Sequence, residues 1–423
     1  MFQIQIMQKP MKKDLCLLRL LLLLALVSLP LHCRAFTAVR LDDISRHKSI
    51  FPSSLANRLY SSLQPETQIK TEQIELSTGI SAEIMTCKPP DDKTPLSSLQ
   101  MVFASKPKPP LVFIHGSFHA SWCWAEKFFA FFSDLGYPCY AISLRGTGGT
   151  FAGEGVKKVK IMDHVSDITS FLEYVSKREE GTPVLLAHSF GGLAIMKYLE
   201  KYLYSDPNEK GASVPDFLSE DSDSTSDDED SLDQRQQGLP VSLSGVCLMC
   251  SVPPSGNGKM TMRFLRRSFR DSWKITAGLA LKRCITNEKL CRELFFGGDT
   301  VTVDCVSDVE GNIKSTVLED WGVSDEDIKR YQGYFKRDTV ATISLKNLVK
   351  KLPSSNVGKE GEALFIDAIP PALVLGATDD FIVDDAGVIE TAKYFGVEPL
   401  FVDSPHDVML GSKWENSAIA ISQ

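Results

Sequence analysis

The sequence predicts an α/β protein in which a mostly parallel, doubly wound sheet is interrupted by inserted segments. Short apolar runs typical of buried strands alternate with longer amphipathic runs typical of helices, and this alternation is characteristic of a parallel sheet covered on both faces. The alternation breaks twice, at an acidic segment (205–239) and at a mainly helical stretch (256–359). Both breaks are predicted to be insertions into a single sheet domain.

The predicted elements follow one another in a regular order. Two β-rich runs between Ile69 and Cys87 favour an opening hairpin. Further strands are predicted at 111–114, 139–144, 184–187, 245–250, 372–376 and 399–403. Helices are predicted at 125–135, 162–177, 192–203 and 386–395, with a last helix beginning near Trp414. We therefore assign the sheet domain to residues 66–204, 240–255 and 360–423.

The chain of 423 residues, 43% of them hydrophobic, is long enough for one sizeable core and an accessory region. Its formal net charge of -8 comes largely from Asp216–Asp233, a stretch with nine carboxylates and no Lys or Arg. The rest of the chain is close to neutral, so charge gives no support for a nucleic-acid partner. The polar segment 205–239 has too little apolar surface to fold, and we expect it to be disordered.

The first 35 residues have the layout of a secretory signal peptide, with basic residues before the apolar run Leu20–Val27 and Ala35 at the end. This apolar run is short for a membrane span. Residues 36–65 are basic and rich in hydroxyl groups, and with Phe36 at their start they resemble the two-part leaders of algae with complex plastids. We therefore expect delivery to the plastid, with secretion or the endomembrane system as the alternative.

Eight cysteines follow the expected signal peptide, and several lie in or beside apolar runs predicted to be strands. Their irregular spacing favours buried free thiols over a disulfide framework. Cys247 and Cys250 have the CxxC spacing of metal and redox sites, but residues three apart in a strand point to opposite faces. No metal or organic cofactor is implied by the sequence.

The segment Val184–Gly192 (VLLAHSFGG) places Ser189 between a buried strand and the start of a helix. This is the context of a nucleophile elbow, whose sharp turn leaves little room beside the serine and requires small neighbours. Ala187, Gly191 and Gly192 are small. Apart from Ala187 in place of the first glycine of GxSxG, the segment resembles the α/β-hydrolase superfamily, which implies that Ser189 is the nucleophile.

In that fold the catalytic residues follow the order serine, acid, histidine. His406 is the only histidine beyond the last predicted strand and is therefore the candidate base. The candidate acid lies in Val374–Val383, where Asp379 falls three residues after the strand-ending Gly376, a spacing frequent in the family. Asp380, one position further on, is the alternative acid.

The segment Ile114–Phe118 (IHGSF) resembles the oxyanion turn of the same superfamily. The resemblance implies that the backbone amides of Ser117 and Phe190 bind the oxyanion, with Phe118 as the alternative to Ser117. Further matches are Trp122, Trp124 and the segment 144–150. Without the two insertions, the resemblance covers residues 108–414 and is closest to plant and algal serine α/β hydrolases.

Together these residues predict a serine hydrolase that cleaves a carboxylic ester, small or lipid-like, through an acyl-enzyme. Thioester, lactone or carbon-carbon bond hydrolysis and haloperoxidase-like activity are the enzymatic alternatives. A non-catalytic ligand-binding protein on the same scaffold is the alternative from another class. A serine at this position argues against epoxide hydrolase or dehalogenase chemistry, for which related enzymes use an aspartate.

The inserted stretch 256–359 is predicted to be a helical lid. Between Lys259 and Arg283 it holds eight Lys or Arg residues and one Asp, interleaved with Phe264, Phe269 and Trp273. We expect the apolar face of this helical run to pack over the active site. Contact with an anionic membrane is the alternative, because basic amphipathic helices also bind such surfaces.

Overall fold

The structure, a computed structural model, describes residues 68–89, 108–204, 238–297, 306–307, 313–314, 323–411 and 413–423. The expected leader (1–65) and nearly all of the acidic segment lie outside these residues, so the predictions made for them remain predictions. Within the described ranges, no helix combines the length and the apolar character needed to cross a bilayer.

An eight-stranded sheet forms the core. Its strands are β1 (Ile69–Glu75), β2 (Ser81–Cys87), β3 (Leu111–Ile114), β4 (Cys139–Ile142), β5 (Val184–His188), β6 (Gly245–Met249), β7 (Ala372–Asp379) and β8 (Leu400–Pro405). Their spatial order is β1-β2-β4-β3-β5-β6-β7-β8. The β1–β2 and β2–β4 pairs are antiparallel and all other pairs are parallel. The prediction of a mostly parallel sheet is therefore confirmed.

The burial of the strands explains why the sequence revealed them. Every residue of β3, β4 and β6 is buried, which is why these strands appear as unbroken apolar runs. The edge strand β1 is mostly exposed and correspondingly polar. Between β1 and β2 the chain reverses through Gly79, whose φ of 74° lies in the left-handed region that glycine adopts without strain.

Eleven α-helices occur in the described residues, and those predicted for the sheet domain differ from the prediction mainly at their starts. They are α1 (Trp122–Ala125), α2 (Phe128–Asp134), α3 (Ile161–Ser176), α4 (Phe190–Leu203), α5 (Asn257–Arg267), α6 (Phe269–Ile275), α7 (Glu288–Cys291), α8 (Asp325–Arg337), α9 (Leu345–Lys350), α10 (Asp385–Phe395) and α11 (Trp414–Ser422). The helix predicted at 125–135 is thus two helices. Helix α4 begins immediately after Ser189, two residues earlier than predicted, so Ser189 lies in the turn itself.

The strand order gathers the candidate residues at one edge of the sheet. From β3 the chain moves to β4 on one side and then to β5 on the other, so the loops after β3 and β5 leave neighbouring strands in opposite directions. Such a reversal opens a crevice at the carboxyl ends of parallel strands. The candidates Ser117, Ser189, Asp380 and His406 all follow the carboxyl ends of sheet strands.

The described parts of the stretch 256–359 are mainly helical and contain α5 to α9. A short parallel pair, Thr342–Ile343 with Lys158–Val159, joins this stretch to the sheet domain. The expected packing of the apolar face of α5 and α6 over the site is wrong for two of its large residues. Phe269 is 78% exposed and Trp273 is 54% exposed, so neither side chain is covered by the rest of the described structure.

The expectation of buried free thiols is confirmed for the described cysteines. They are Cys87, Cys123, Cys139, Cys247, Cys250, Cys284 and Cys291, and all are free and buried. Burial raises the pKa of the Cys247 thiol to about 12. A protonated buried thiol is a poor nucleophile and metal ligand, as expected of cysteines that serve packing.

Candidate active site

Ser189 occupies the sharp turn between β5 and α4. Its φ of 52° and ψ of -118° are strained for a residue with a side chain, and such strain persists only where the surrounding structure holds it. The Ser189 N–H donates to the carbonyl oxygen of Met249 in the neighbouring strand at 3.0 Å. The residue is 7% exposed and lies at the crevice, as the predicted elbow requires.

The small residues around Ser189 are required by close backbone approach. A Cβ on Gly191 would lie 2.7 Å from the carbonyl oxygens of Ile114 and His115, which belong to the adjacent chain segment and cannot move aside. A Cβ on Gly116 would lie 2.9 Å from the Cβ of Ser189. The turn after β3 therefore passes directly over the serine.

His406 lies between a serine hydroxyl and a carboxylate. Its Nε2 is 3.3 Å from Ser189 Oγ and its Nδ1 is 2.8 Å from Asp380 Oδ2. Since a carboxylate only accepts, Nδ1 carries the proton, and the lone pair of Nε2 faces the Ser189 hydroxyl. The side chains of His406 and Asp380 are 2% and 1% exposed, so water does not compete for these bonds.

The acid that contacts His406 is the alternative, Asp380, and the preference for Asp379 is wrong. The side chain of Asp379 is 59% exposed and lies 3.7 Å from Lys413. The count from Gly376 failed because β7 does not end there but continues through Asp379, with an irregular register against β8 between Ala377 and Asp379. Asp380 is the first residue beyond the strand.

The Asp380 carboxylate is held in place by the turn that follows it. Its Oδ1 accepts hydrogen bonds from the backbone N–H groups of Ile382 (2.7 Å) and Val383 (2.8 Å), while Oδ2 faces His406. A short side chain that bonds to the backbone two and three residues ahead is a common way to stabilise a turn. Both carboxylate oxygens therefore have hydrogen-bond partners, which keep the carboxylate facing the imidazole.

The electrostatics of the site favour a basic imidazole. Burial disfavours the charged form of His406, yet its pKa is raised above the ordinary 6.5, chiefly by the negative charge and the hydrogen bond of Asp380. A histidine in this environment holds a proton more strongly than a free one. It can therefore take the proton of Ser189 while Asp380 stabilises the resulting cation.

The candidate oxyanion amides lie beside Ser189. Phe190 is the first residue of α4, so no helical carbonyl precedes it to accept its N–H. His115 Nδ1 donates to the Gly116 carbonyl at 2.8 Å, and because C=O and N–H point in opposite directions in a trans peptide, this bond fixes the direction of the Ser117 N–H. Phe118 follows with a φ of 71°, and both amides of this turn stay candidates.

The comparison with known protein families agrees with this geometry. Residues 111–412 match the model of the alpha/beta hydrolase family. The chain belongs to that family.

Individual relatives of this alpha/beta hydrolase are more distant. Methylesterase 10 of Arabidopsis thaliana is 32% identical over 92 residues, which are 22% of this chain and 32% of that protein. Among solved structures, an epoxide hydrolase from Vigna radiata has a TM-score of 0.48 at 16% identity, over 85% of this chain and 98% of the other. An esterase from Exiguobacterium antarcticum has a TM-score of 0.47 at 12% identity, over 84% and 98%.

In this alpha/beta hydrolase, three residues behind the Ser189–His406–Asp380 chain were missed by the sequence analysis. His188 Nε2 donates to the backbone carbonyl of His406 at 2.9 Å, and burial, together with the neighbouring His406, holds its pKa well below 6.5. His119 Nε2 lies 2.9 Å from Asp407 Oδ2. The sequence marks two of these residues only by their position: Asp407 directly follows the predicted base His406, and His188 directly precedes the predicted nucleophile Ser189.

Two groups of potential metal ligands occur in the described residues, and both overlap the Ser189–His406–Asp380 chain. They are His188, His406 and Asp407, and Cys250, Asp380 and His406. Both include His406, whose two ring nitrogens already face Asp380 and Ser189. Neither group therefore offers three free ligand atoms.

A cavity of about 310 Å³ adjoins the oxyanion turn and the first residue of α4. Its wall is largely apolar, with Phe118, Leu144 and Phe190 from the sheet domain and Leu279, Ala341 and Ile343 from the insertion. Its cationic side chains are already engaged: Lys158 with Thr342, Lys282 with the Thr339 carbonyl, and Arg145 with Asp167. The cavity thus suits a mainly apolar group.

Proposed function

We propose that this protein is a serine hydrolase that cleaves carboxylic esters, with Ser189 as nucleophile, His406 as base and Asp380 as acid. The observation that carries the proposal is the hydrogen-bonded chain from Ser189 Oγ through His406 to Asp380, formed at a strained elbow. Such a chain is the arrangement that activates a hydroxyl for acyl transfer.

The proposed reaction has two halves. Ser189 Oγ attacks the ester carbonyl while His406 Nε2 takes the hydroxyl proton, and the oxyanion is bound by the amides of Phe190 and Ser117 or Phe118. Collapse breaks the bond to the alkoxy oxygen, which receives the proton from His406, and leaves an acyl-enzyme on Ser189. Water, deprotonated by His406, then attacks the acyl carbon; the bond to Ser189 Oγ breaks, Oγ takes the proton back from His406, and the acid is released.

Two observations support an ester with an apolar part as the substrate. The cavity of about 310 Å³ beside Phe190 is walled mainly by apolar side chains, and the partial relative from Arabidopsis thaliana is called a methylesterase. Thioesters and lactones present the same electrophilic carbonyl and are the alternative substrates. A ligand-binding role without turnover is the alternative function.

The proposal is tested with an active-site label and a panel of esters graded by acyl length. We expect a fluorophosphonate to label the wild-type chain at Ser189 and the panel to be hydrolysed. Ser189→Ala removes one hydroxyl from the turn and should abolish both while the protein stays folded by circular dichroism. A folded Ser189→Ala variant with wild-type turnover would overturn the mechanism, and a labelled wild type without turnover of any ester would favour the alternatives.

We also propose that helices α5 and α6 bind an anionic lipid surface. Four exposed apolar side chains lie on these two helices: Met262 and Leu265 on α5, and Phe269 and Trp273 on α6. The exposed Arg266 and Arg270 lie between them and form no ion pair with any described residue. Exposed apolar side chains with cations beside them are the pattern expected of helices at an anionic interface.

A further inference from the structure

A buried bridge joins the oxyanion turn to the loop that carries His406. His119 Nδ1 lies 2.8 Å from the Ser117 carbonyl oxygen, and His119 Nε2 lies 2.9 Å from Asp407 Oδ2. The side chains of His119 and Asp407 are both completely buried. The bridge thus connects the turn after β3 to the residue that directly follows the candidate base.

The partners of His119 fix the number of protons in the bridge. A carbonyl oxygen and a carboxylate oxygen can only accept, whereas a neutral imidazole has one N–H and one lone pair. For both ring nitrogens to bond to these oxygens, the pair must hold one proton more than a neutral histidine and an ionised aspartate carry. That proton lies between Nε2 and Oδ2.

Other histidines of the site have no such requirement. His115 donates from Nδ1 to the Gly116 carbonyl and accepts at Nε2 from the Leu144 N–H, which suits a neutral ring. His406 faces one acceptor, Asp380, and one hydroxyl. His115 and His406 thus form hydrogen bonds through both ring nitrogens without an extra proton, whereas His119 requires one.

The surroundings of the bridge are suited to keep the extra proton. The ring of His119 stacks on Trp122, with centroids 5.5 Å apart, and Phe295 and Phe335 meet it edge to face. Stacked aromatic faces attract a cation, and a dry enclosure strengthens its attraction to a carboxylate. Among the other ionisable side chains, His188 Nε2 lies 3.8 Å from Asp407 Oδ1, and His115, His406 and Cys123 also interact with the pair.

We propose that the proton shared by His119 and Asp407 locks the peptide between Ser117 and Phe118 in the orientation needed to bind the oxyanion. This rests on the proposed function. Because the Ser117 carbonyl is tied to His119, the N–H of Phe118 must point the opposite way. The bond also retains the left-handed φ of 71° at Phe118, which a residue with a side chain keeps only under constraint. His119 and Asp407 are positioning residues.

Two variants of Asp407 separate a bonding role from a merely structural one. In Asp407→Asn the side-chain amide can donate to Nε2 of a neutral His119, so the bridge survives without the extra proton, and kcat should stay within a few-fold of wild type. In Asp407→Leu the bridge is lost, and kcat should fall about 10- to 100-fold, somewhat less than for deletion of an oxyanion donor, with KM little changed. Equal kcat values in Asp407→Leu and wild type would overturn the proposal.

A spectroscopic measurement decides the proton count without any substrate. In protein labelled with ¹⁵N-histidine, we expect wild type to show a far-downfield proton at the His119 Nε2–Asp407 bond. In Asp407→Asn this proton should be absent and Nε2 unprotonated. Wild-type spectra identical to those of Asp407→Asn would overturn the shared proton, even if Asp407→Leu fails to fold. Fluorophosphonate labelling of Ser189 tests the hydrolase mechanism independently. A wrong proposal for the bridge can therefore be distinguished from a wrong hydrolase mechanism.

Discussion

At the scale of single residues, the two adjacent aspartates show how strongly backbone position decides chemical role. Asp379 and Asp380 have the same side chain and are neighbours, yet one is exposed beside Lys413 and the other is buried against His406. The difference arises because the last residue of a strand and the first residue of the following turn direct their side chains differently. Only Asp380 can orient the imidazole.

Asp380→Asn is expected to lower kcat by about 10⁴-fold, because an amide at this position favours the wrong tautomer of His406, as in the serine-protease precedent. The matched control is Asp379→Asn, which removes only a weak surface contact and should leave kcat within about twofold of wild type. Steady-state rates on one ester measure both variants. The reverse ranking would assign the acid to Asp379.

The pH dependence of activity should reflect the raised pKa of His406. The base acts in its neutral form, so kcat/KM should fall as the pH drops through that pKa, which is raised above 6.5 against the effect of burial, chiefly by the charge and hydrogen bond of Asp380. In Asp380→Asn the acid limb of the residual activity should move to lower pH, since the negative charge that stabilises the imidazolium is gone. An acid limb that moves to higher pH in this variant would contradict the assignment.

The sequence predicted the parts of the site that depend on local pattern and missed those that depend on distant contacts. Ser189 and His406 were found because a turn motif and the chain order mark them. The choice between Asp379 and Asp380 failed because no composition signal marks where β7 ends. The pairing of His119 with Asp407 joins residues 288 positions apart, and only the folded sheet brings them together.

At the scale of elements, helices α5 and α6 expose a face that the core does not use. Arg263 of α5 bonds to Asp384 through two nitrogen atoms, both at 2.6 Å, and this fixes the helix against the sheet domain. The apolar residues Phe269 and Trp273 lie on the next helix, α6, and are exposed. The sequence analysis expected these residues to be buried. Hydrophobic periodicity indicates which residues share a face of a helix, but it does not indicate which surface that face contacts.

Replacing Phe269 and Trp273 by Ser should weaken binding to vesicles of anionic lipid by at least tenfold, because two large apolar side chains lose their insertion into the interface. Arg266→Gln with Arg270→Gln should cost about 1 kcal/mol for each charge and remove the preference for anionic over zwitterionic vesicles. Vesicle co-sedimentation measures both effects.

The control for this experiment is Ile419→Ser, which removes a similarly exposed apolar side chain (46%) from α11 and should leave vesicle binding unchanged. Equal binding by wild type and the Phe269 and Trp273 variant would exclude a lipid surface as the partner of this face. A concentration-dependent dimer lost in the same variant would show instead that the face meets a second copy of the chain.

At the scale of the whole molecule, the acidic insertion enters and leaves the sheet domain at almost the same point. The N–H of Gly238 donates to the carbonyl of Tyr202 at 3.3 Å, so the chain ends that flank the insertion are hydrogen-bonded to each other. The sheet domain therefore needs no long connection to bridge them.

Deleting residues 205–237 and joining Tyr204 to Gly238 through a short Gly-Ser linker should leave the melting temperature within a few degrees of wild type. The reason is that shortening a loop whose ends already meet changes the closure entropy little. Thermal unfolding by circular dichroism and the ester assay provide the measurement. A variant that fails to fold would show that the acidic segment contributes to the core.

The strand order has a consequence for the kinetics of folding. The turn after β3 and the loop after β8 meet across the crevice, and the Ser189–His406 contact alone joins positions 217 residues apart. Contacts between residues so distant along the chain form late, because closing the long loop between them lowers the chain entropy before the contacts add any stability. A refolding chain should thus regain its secondary structure first and its reactivity toward a fluorophosphonate only when β8 has docked, and no fragment that ends before β8 should ever react.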